Sequence, residues 1–141
     1  MLRQVTQSLR PAPNLNALIT ALAPIVEEHG FTINQLIQRW APTTPAQLTV
    51  STNDYDIGDA NVLRLSASGA INLTGLARGE QGRFLTLINV GANTITLKHQ
   101  SVSSAAANRI ICIGAVDFAL AADVCALLLY DETTARWRQL K

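Results

Sequence analysis

The sequence predicts a mainly β protein: an antiparallel β-sandwich or jelly-roll-like domain preceded by a short α-helical N-terminal segment. Three observations carry this. The hydrophobic period changes from helical to alternating across residues 41–47. Eight short apolar stretches then follow at close spacing. Gly, Asn and Asp separate them, as turns require.

Taken in order, residues 1–13 are a polar N-terminal arm with no apolar run before a small-residue cleavage site, so no secretory signal is expected. Residues 14–40 form the helical segment. Asn14 is its N-cap, following Pro11 and Pro13, and apolar residues recur at Leu15, Leu18, Ile19, Leu22, Ile25 and Val26. Ile19, Val26, Ile33 and Trp40 are also seven apart, as are Leu15, Leu22, His29 and Leu36. That pattern suits a trimeric coiled-coil seam. A helical hairpin also fits, with Pro24 bending the first helix and Gly30, following His29 in the manner of a C-cap, ending it before Thr32 starts a second. His29 is read as a residue of a last helical turn that favours the dipole.

Residues 41–47, Ala-Pro-Thr-Thr-Pro-Ala-Gln, read as a linker, since Pro42 and Pro45 bar a helix. Residues 48–141 are the β-domain. Its strands are expected at Val62-Leu-Arg-Leu-Ser66, Ile71-Asn-Leu-Thr-Gly-Leu76, Phe84-Leu-Thr-Leu-Ile88, Thr94-Ile-Thr-Leu-Lys98, Arg109-Ile-Ile-Cys-Ile113, Asp117-Phe-Ala-Leu120, Ala126-Leu-Leu-Leu-Tyr130 and Arg136-Trp-Arg-Gln-Leu140. The outer faces of these strands are expected to be Thr, Ser and Asn. Residues 89–93 and 131–135 read as hairpin loops of about five residues, and 103–107 can form a single helical turn.

The chain has 141 residues, 15% of them charged, with a net charge of +1. Mean hydropathy is +0.19. Near-neutral charge argues against nucleic acid as a partner, because phosphate binding needs clustered cations. No window approaches the ~18 apolar residues of a membrane-spanning helix. So little charge on so apolar a chain implies surface buried against other chains. Cys112 and Cys125 stand in apolar surroundings and read as reduced core residues.

Catalytic chemistry has few carriers. The histidines are His29 and His99, and neither a Gly-x-Ser-x-Gly elbow nor a His-Glu-x-x-His pair occurs. Gly75, Gly79 and Gly82 read as turn residues rather than a phosphate cradle. Asp54, Asp56 and Asp59 are the most clustered acids and the sole candidates for a carboxylate-dependent hydrolase. As a calcium loop they fail, since Gly58 falls at the fifth position and Leu65 stands where the bidentate Glu belongs. No cofactor or metal site is expected, and no enzyme. Tyr130 reads as packed and Trp137 as core or subunit contact.

From Asp56 to the C-terminus the chain resembles a β-domain of tailed-bacteriophage structural proteins, found in head decorations, head fibres and tail-fibre segments. The residues that carry the resemblance are Gly82 to Gln100, Ser103-Ser-Ala-Ala-Ala-Asn-Arg-Ile110 and Leu129-Tyr-Asp-Glu-Thr-Thr-Ala-Arg-Trp-Arg138. The resemblance implies a homotrimeric β-sandwich with no enzymatic activity, located in the virion and assembled in the host cytoplasm. Its partners would be itself and the major capsid protein or other virion proteins, as a capsid decoration or cement protein. The alternative is a short tail-fibre, head-fibre or baseplate component that binds a host surface glycan. Candidate subunit-interface residues are Ile19, Leu22, Val26, Ile33, Leu36, Trp40, Arg109, Arg136 and Trp137. In the pattern, Gly82 and Gly91 permit tight turns, and Asn89 and Asn93 bond their own backbone. Arg109 and Arg136 are placed to reach an adjacent subunit.

Overall fold

The computed structural model describes Thr20 and residues 33–140. The arm 1–13, the coiled-coil-or-hairpin alternative, and the seam positions Ile19, Leu22, Val26 and His29 lie outside the described residues. The chain forms two compact units, Met1–Gln38 and Arg39–Lys141. Helix α1, Ile33–Trp40, is the described helical element upstream of the β-domain. It carries the backbone of Ile33 and Leu36, whose side chains lie outside the description.

The strands of the second unit are β1 (Tyr55–Asp56), β2 (Val62–Leu65), β3 (Ile71–Leu73), β4 (Leu76–Ala77), β5 (Phe84–Asn89), β6 (Ile95–Leu97), β7 (Ile110–Ile111), β8 (Phe118–Leu120), β9 (Cys125–Asp131) and β10 (Arg136–Gln139). All eight expected stretches contain a strand. The expected turn near 103–107 is a 3-10 turn, Ala106–Asn108.

The pairing is mixed rather than antiparallel throughout. β2 runs parallel to β5, β3 to β6, β1 to β4 and β7 to β10. β9 is antiparallel to β5 and β10, and β8 to β6. The reason is a coil. Residues 62–77 and 84–98 make two successive passes in one direction, each giving a strand to the five-stranded sheet (β2-β5-β9-β10-β7) and the next to the three-stranded sheet (β3-β6-β8). Leu63 pairs with Leu87 and Ile71 with Ile95, so one register holds on both sheets. Residues 118–131 then return along the third pass in the opposite sense, β8 on β6 and β9 on β5. A strand's alternation tells which side chains are buried and not which way its neighbour runs. A connection long enough to travel round the core permits the parallel pairs.

The stretch 41–47 is a further correction. It belongs to the folded unit and starts a first pass, 43–56. Thr43 N–H donates to the Val62 carbonyl at 3.0 Å and the Arg64 N–H to that of Thr43 at 2.9 Å. Leu48 brackets Ser66 and Ser68 in the same way, and Thr52 brackets Asn72 and Thr74. Prolines 42 and 45 are tolerated because the pass is an edge, where a missing N–H costs no ladder bond.

Residues 89–93 are likewise a corner and not a hairpin, since β5 and β6 belong to different sheets. Asn89 is fully buried there. Its Nδ2 donates to the carbonyls of Asn93 and Leu120, each at 2.8 Å, and its Oδ1 accepts from Gly91 N–H at 3.0 Å. Asn93 Nδ2 donates to the Ala67 carbonyl of the preceding corner. Gly91 serves by close approach: an added Cβ would lie 3.0 Å from Ser66 Cβ. Gly82 meets the expected role, with φ of +68°. The hairpin at 131–135 is confirmed, with Asp131 opposite Arg136 and accepting from Thr133 N–H and Thr134 Oγ1.

The core is leucine-rich. Leu65, Leu85, Leu87 and Leu128 from one sheet meet Leu73, Ile95, Leu97 and Leu120 from the other, all without solvent contact. Each such side chain contributes about 1.5–3 kcal/mol through burial. Trp137 is also fully buried, its Nε1–H donating to the Leu76 carbonyl at 2.8 Å and its ring edge-on to Tyr130. Asn89→Ala leaves three backbone groups short of a partner. It should destabilise the domain by about 2–4 kcal/mol, read as a lowered denaturant midpoint, whereas Asn93→Ala on the exposed rim should cost less than half of that.

Candidate functional site

Two regions qualify for attention: the polar cluster around the expected acids, and the outer face of the larger sheet. Asp54 sits just before β1 with φ of +48°. Its carboxylate accepts from Ala105 N–H at 3.1 Å and Asn108 Nδ2 at 2.9 Å, while its own N–H donates to Ser104 Oγ at 3.1 Å. Buried Ser104 and Thr74 are joined at 2.7 Å, and Thr74 Oγ1 donates to Asn53 Oδ1. Gly75 makes the approach possible, since a Cβ there would lie 2.5 Å from Ser104 Oγ. The Asn108 amide, partly opposed by desolvation, holds the Asp54 carboxyl below its ordinary range.

Asp56 and Asp59 turn toward Arg78 instead. Arg78 Nε donates to Asp56 Oδ1 at 2.6 Å, and its Nη1 lies 3.8 Å from Asp59. The hydrogen bond from Arg78 depresses the Asp56 pKa. The three acids therefore do not converge. Among the described residues no group of His, Cys, Asp and Glu is placed to hold a metal ion.

Arg83 escaped sequence reasoning. It is buried, with Nη1 on the Arg78 carbonyl and Nη2 on those of Gly58 and Ala60, at 2.8–2.9 Å. Desolvation, with Arg39 nearby, lowers its pKa. Arg39 pairs with Glu80 at 2.8 Å. His99 Nδ1 accepts from Cys112 N–H, and Asp117 bonds Lys98 and the His99 N–H. Burial raises the Cys112 thiol to about 11.

Several expected interface residues have partners within the chain. Trp137 is a correction: with no exposed surface it is core and cannot meet another subunit. Arg109 Nε donates to the Ser104 carbonyl, and Arg136 bonds Gln100 and the carbonyls of Thr134 and Ala135. Trp40 is half exposed. Cys112 is buried as expected, whereas Cys125 is exposed, because it points outward at the start of β9.

The larger sheet's outer face departs from the expected Thr, Ser and Asn. Phe84 and Leu129 are register partners there, Val62 pairs with Thr86 and Thr86 with Leu127, and Ile88 pairs with Cys125. Phe84 is 42% and Leu127 40% exposed. The smaller sheet keeps the expected polar pattern on two of its strands, with Asn72 and Thr96 outward, while β8 presents Ala119. The available signal was Leu127-Leu-Leu129, whose unbroken run supplies hydrocarbon to both faces of a strand.

Acid should loosen the cluster. The folded-state pKa of Asp54 lies below its unfolded value, so its contribution is present above about pH 4 and is lost as pH falls through the folded value. Urea midpoints followed downward from pH 6 should fall for the wild type, and Asp54→Asn should flatten part of that slope. Comparison with protein-family models, curated proteins and solved structures finds no match.

Proposed function

We propose that this chain is a non-enzymatic virion structural protein of a tailed bacteriophage: a homotrimeric capsid decoration or cement protein that stabilises the head shell. The observation that carries the reading is how the polar side chains are used. Asp54 fastens the 104–108 loop, Asp131 closes a hairpin, Asp117 joins Lys98 to the His99 backbone, and Arg83 gathers three carbonyls. Each acts on the chain's own backbone or a neighbouring charge, which is the chemistry of a scaffold. The resemblance across Gly82–Arg138 supplies the virion context, and we read the two leucine-packed sheets as a sandwich of that family with mixed pairing.

Burial of Trp137 and Tyr130 takes two aromatics away from any glycan platform, which favours the capsid over the fibre. Among the described residues no helix is long and apolar enough to cross a membrane. The partners are then copies of the chain and the major capsid protein or another virion protein.

Light scattering on the purified full chain should give the mass of three copies at micromolar concentration; a clean monomer would sink the trimer. Image reconstruction of the particle should place its density on the head shell. Density at the tail tip with binding on a glycan array would replace this reading with the fibre alternative.

A further inference from the structure

We propose that copies of this chain meet through the outer face of the five-stranded sheet, an assignment that rests on the homo-oligomeric reading above and names the surface responsible. The face is defined by register. Phe84, Ile88, Leu127 and Leu129 point outward from the two central strands β5 and β9, with Val62 beside them on β2. Between these residues lie Thr86 and Cys125, and no Lys, Asp or Glu.

Charge borders the apolar residues on either flank, and on β10 Arg138 is the register partner of Leu129 and pairs with Asp131. Arg64 on β2 is level with Ile88 and Cys125, at the end of the face where exposed Asp123 precedes β9. Arg136 lies opposite Asp131 at the other end, where exposed Glu132 follows β9. An apolar centre with arginine at its margin and few other charges is the composition of a protein interface core and rim. Both ends carry a cation and an anion, so a neighbouring copy in the trimer can offer opposite charge to either end. Between the apolar residues the polar groups are Thr86 and Cys125, and Arg138 beside Leu129 is already held by Asp131. What this centre matches is another apolar sheet face.

The extent is that of a small interface. The strands of the sheet, from two residues in β7 to seven in β9, cover on the order of 350 Å² in plan at about 3.3 Å rise and about 4.8 Å spacing. That is a little under half of the ~800 Å² one partner contributes to a standard interface, before side-chain relief is added. Cys125 provides a native reporter, because it lies in this face while Cys112 is buried.

The experiment uses the full chain. Sedimentation velocity compares wild type, Leu127→Glu, and Thr96→Glu on the smaller sheet's outer face, with circular dichroism checking the fold. Leu127→Glu should weaken self-association at least about 30-fold, and Thr96→Glu should leave it unchanged. In parallel, maleimide labelling of wild-type Cys125 is followed across concentration, since modification requires an accessible thiol. Labelling should slow at least about tenfold as the protein associates. An oligomer that persists in folded Leu127→Glu, or that labels Cys125 at a concentration-independent rate, overturns the assignment while leaving the oligomer standing. A wild type that stays monomeric throughout overturns the oligomer itself. If Leu127→Glu fails to fold, the labelling series alone decides.

Discussion

Everything else in the β-domain depends on holding parallel passes in register as the chain turns from one sheet into the next. The Asn89 amide does this at the third pass. It joins its own corner, at Gly91 and Asn93, to Leu120 on the returning strand, so one side chain fixes the corner's shape and its neighbour's position. Buried away from water, such an amide has no substitute partner, and any slip of register would leave it unsatisfied. A one-residue slip would also turn Leu85 and Leu87 outward. Polar and apolar constraints therefore specify the same register. Asn93 extends the stitch to Ala67 in the preceding corner, where Gly91 leaves the space for contact.

Arg83 applies the same logic at the start of β5. The loop 56–61 presents the Gly58 and Ala60 carbonyls toward the interior, where they have no strand to join, and a guanidinium satisfies both. Burying this cation is tolerable because its donors meet oxygens and because Glu80 and Asp59 lie close enough to favour the charge. Arg39, where the second unit begins, joins the same region, with Asn61 N–H donating to its carbonyl and its side chain on Glu80. Charged residues in this unit serve largely as fasteners within the chain, and among those described Arg83 alone is withdrawn from solvent.

How much of this is legible in the sequence varies with the physics involved. Strand positions are legible, because alternation such as Val62-Leu-Arg-Leu follows directly from a half-buried pleat. Strand direction is not, because the pattern of Leu63 and Leu65 is the same whether β5 runs with or against it. Thr43, Leu48 and Thr52 pair through isolated bridges on an edge interrupted by prolines, and so carry no period to detect. For the acids, spacing put Asp54, Asp56 and Asp59 together along the chain. A left-handed residue at 54 and the short strand β1 then send them to different partners. The buried state of Arg83 depends on carbonyls over 20 residues upstream, which no local pattern encodes.

The low charge and high apolar content now divide between the two sheets. The smaller sheet presents Asn72, Thr96 and the small Ala119, so a hydroxyl and an amide there replace charge. Hydrogen bonding from water to these groups is sufficient to keep a flat surface solvated. The larger sheet does the opposite, placing Phe84, Ile88, Leu127 and Leu129 outward where alternation would have allowed polar residues at no cost to the core. Nothing in the packing of Leu85, Leu87 or Leu128 requires hydrocarbon on the far side of the same strands. An outward leucine gives a single chain only its cross-strand pairs, as Leu129 with Phe84, and exposes it to aggregation. The contrast between two faces of one domain is what the proposed contact between copies accounts for, since the fold's own requirements stop at the inner side of the sheet.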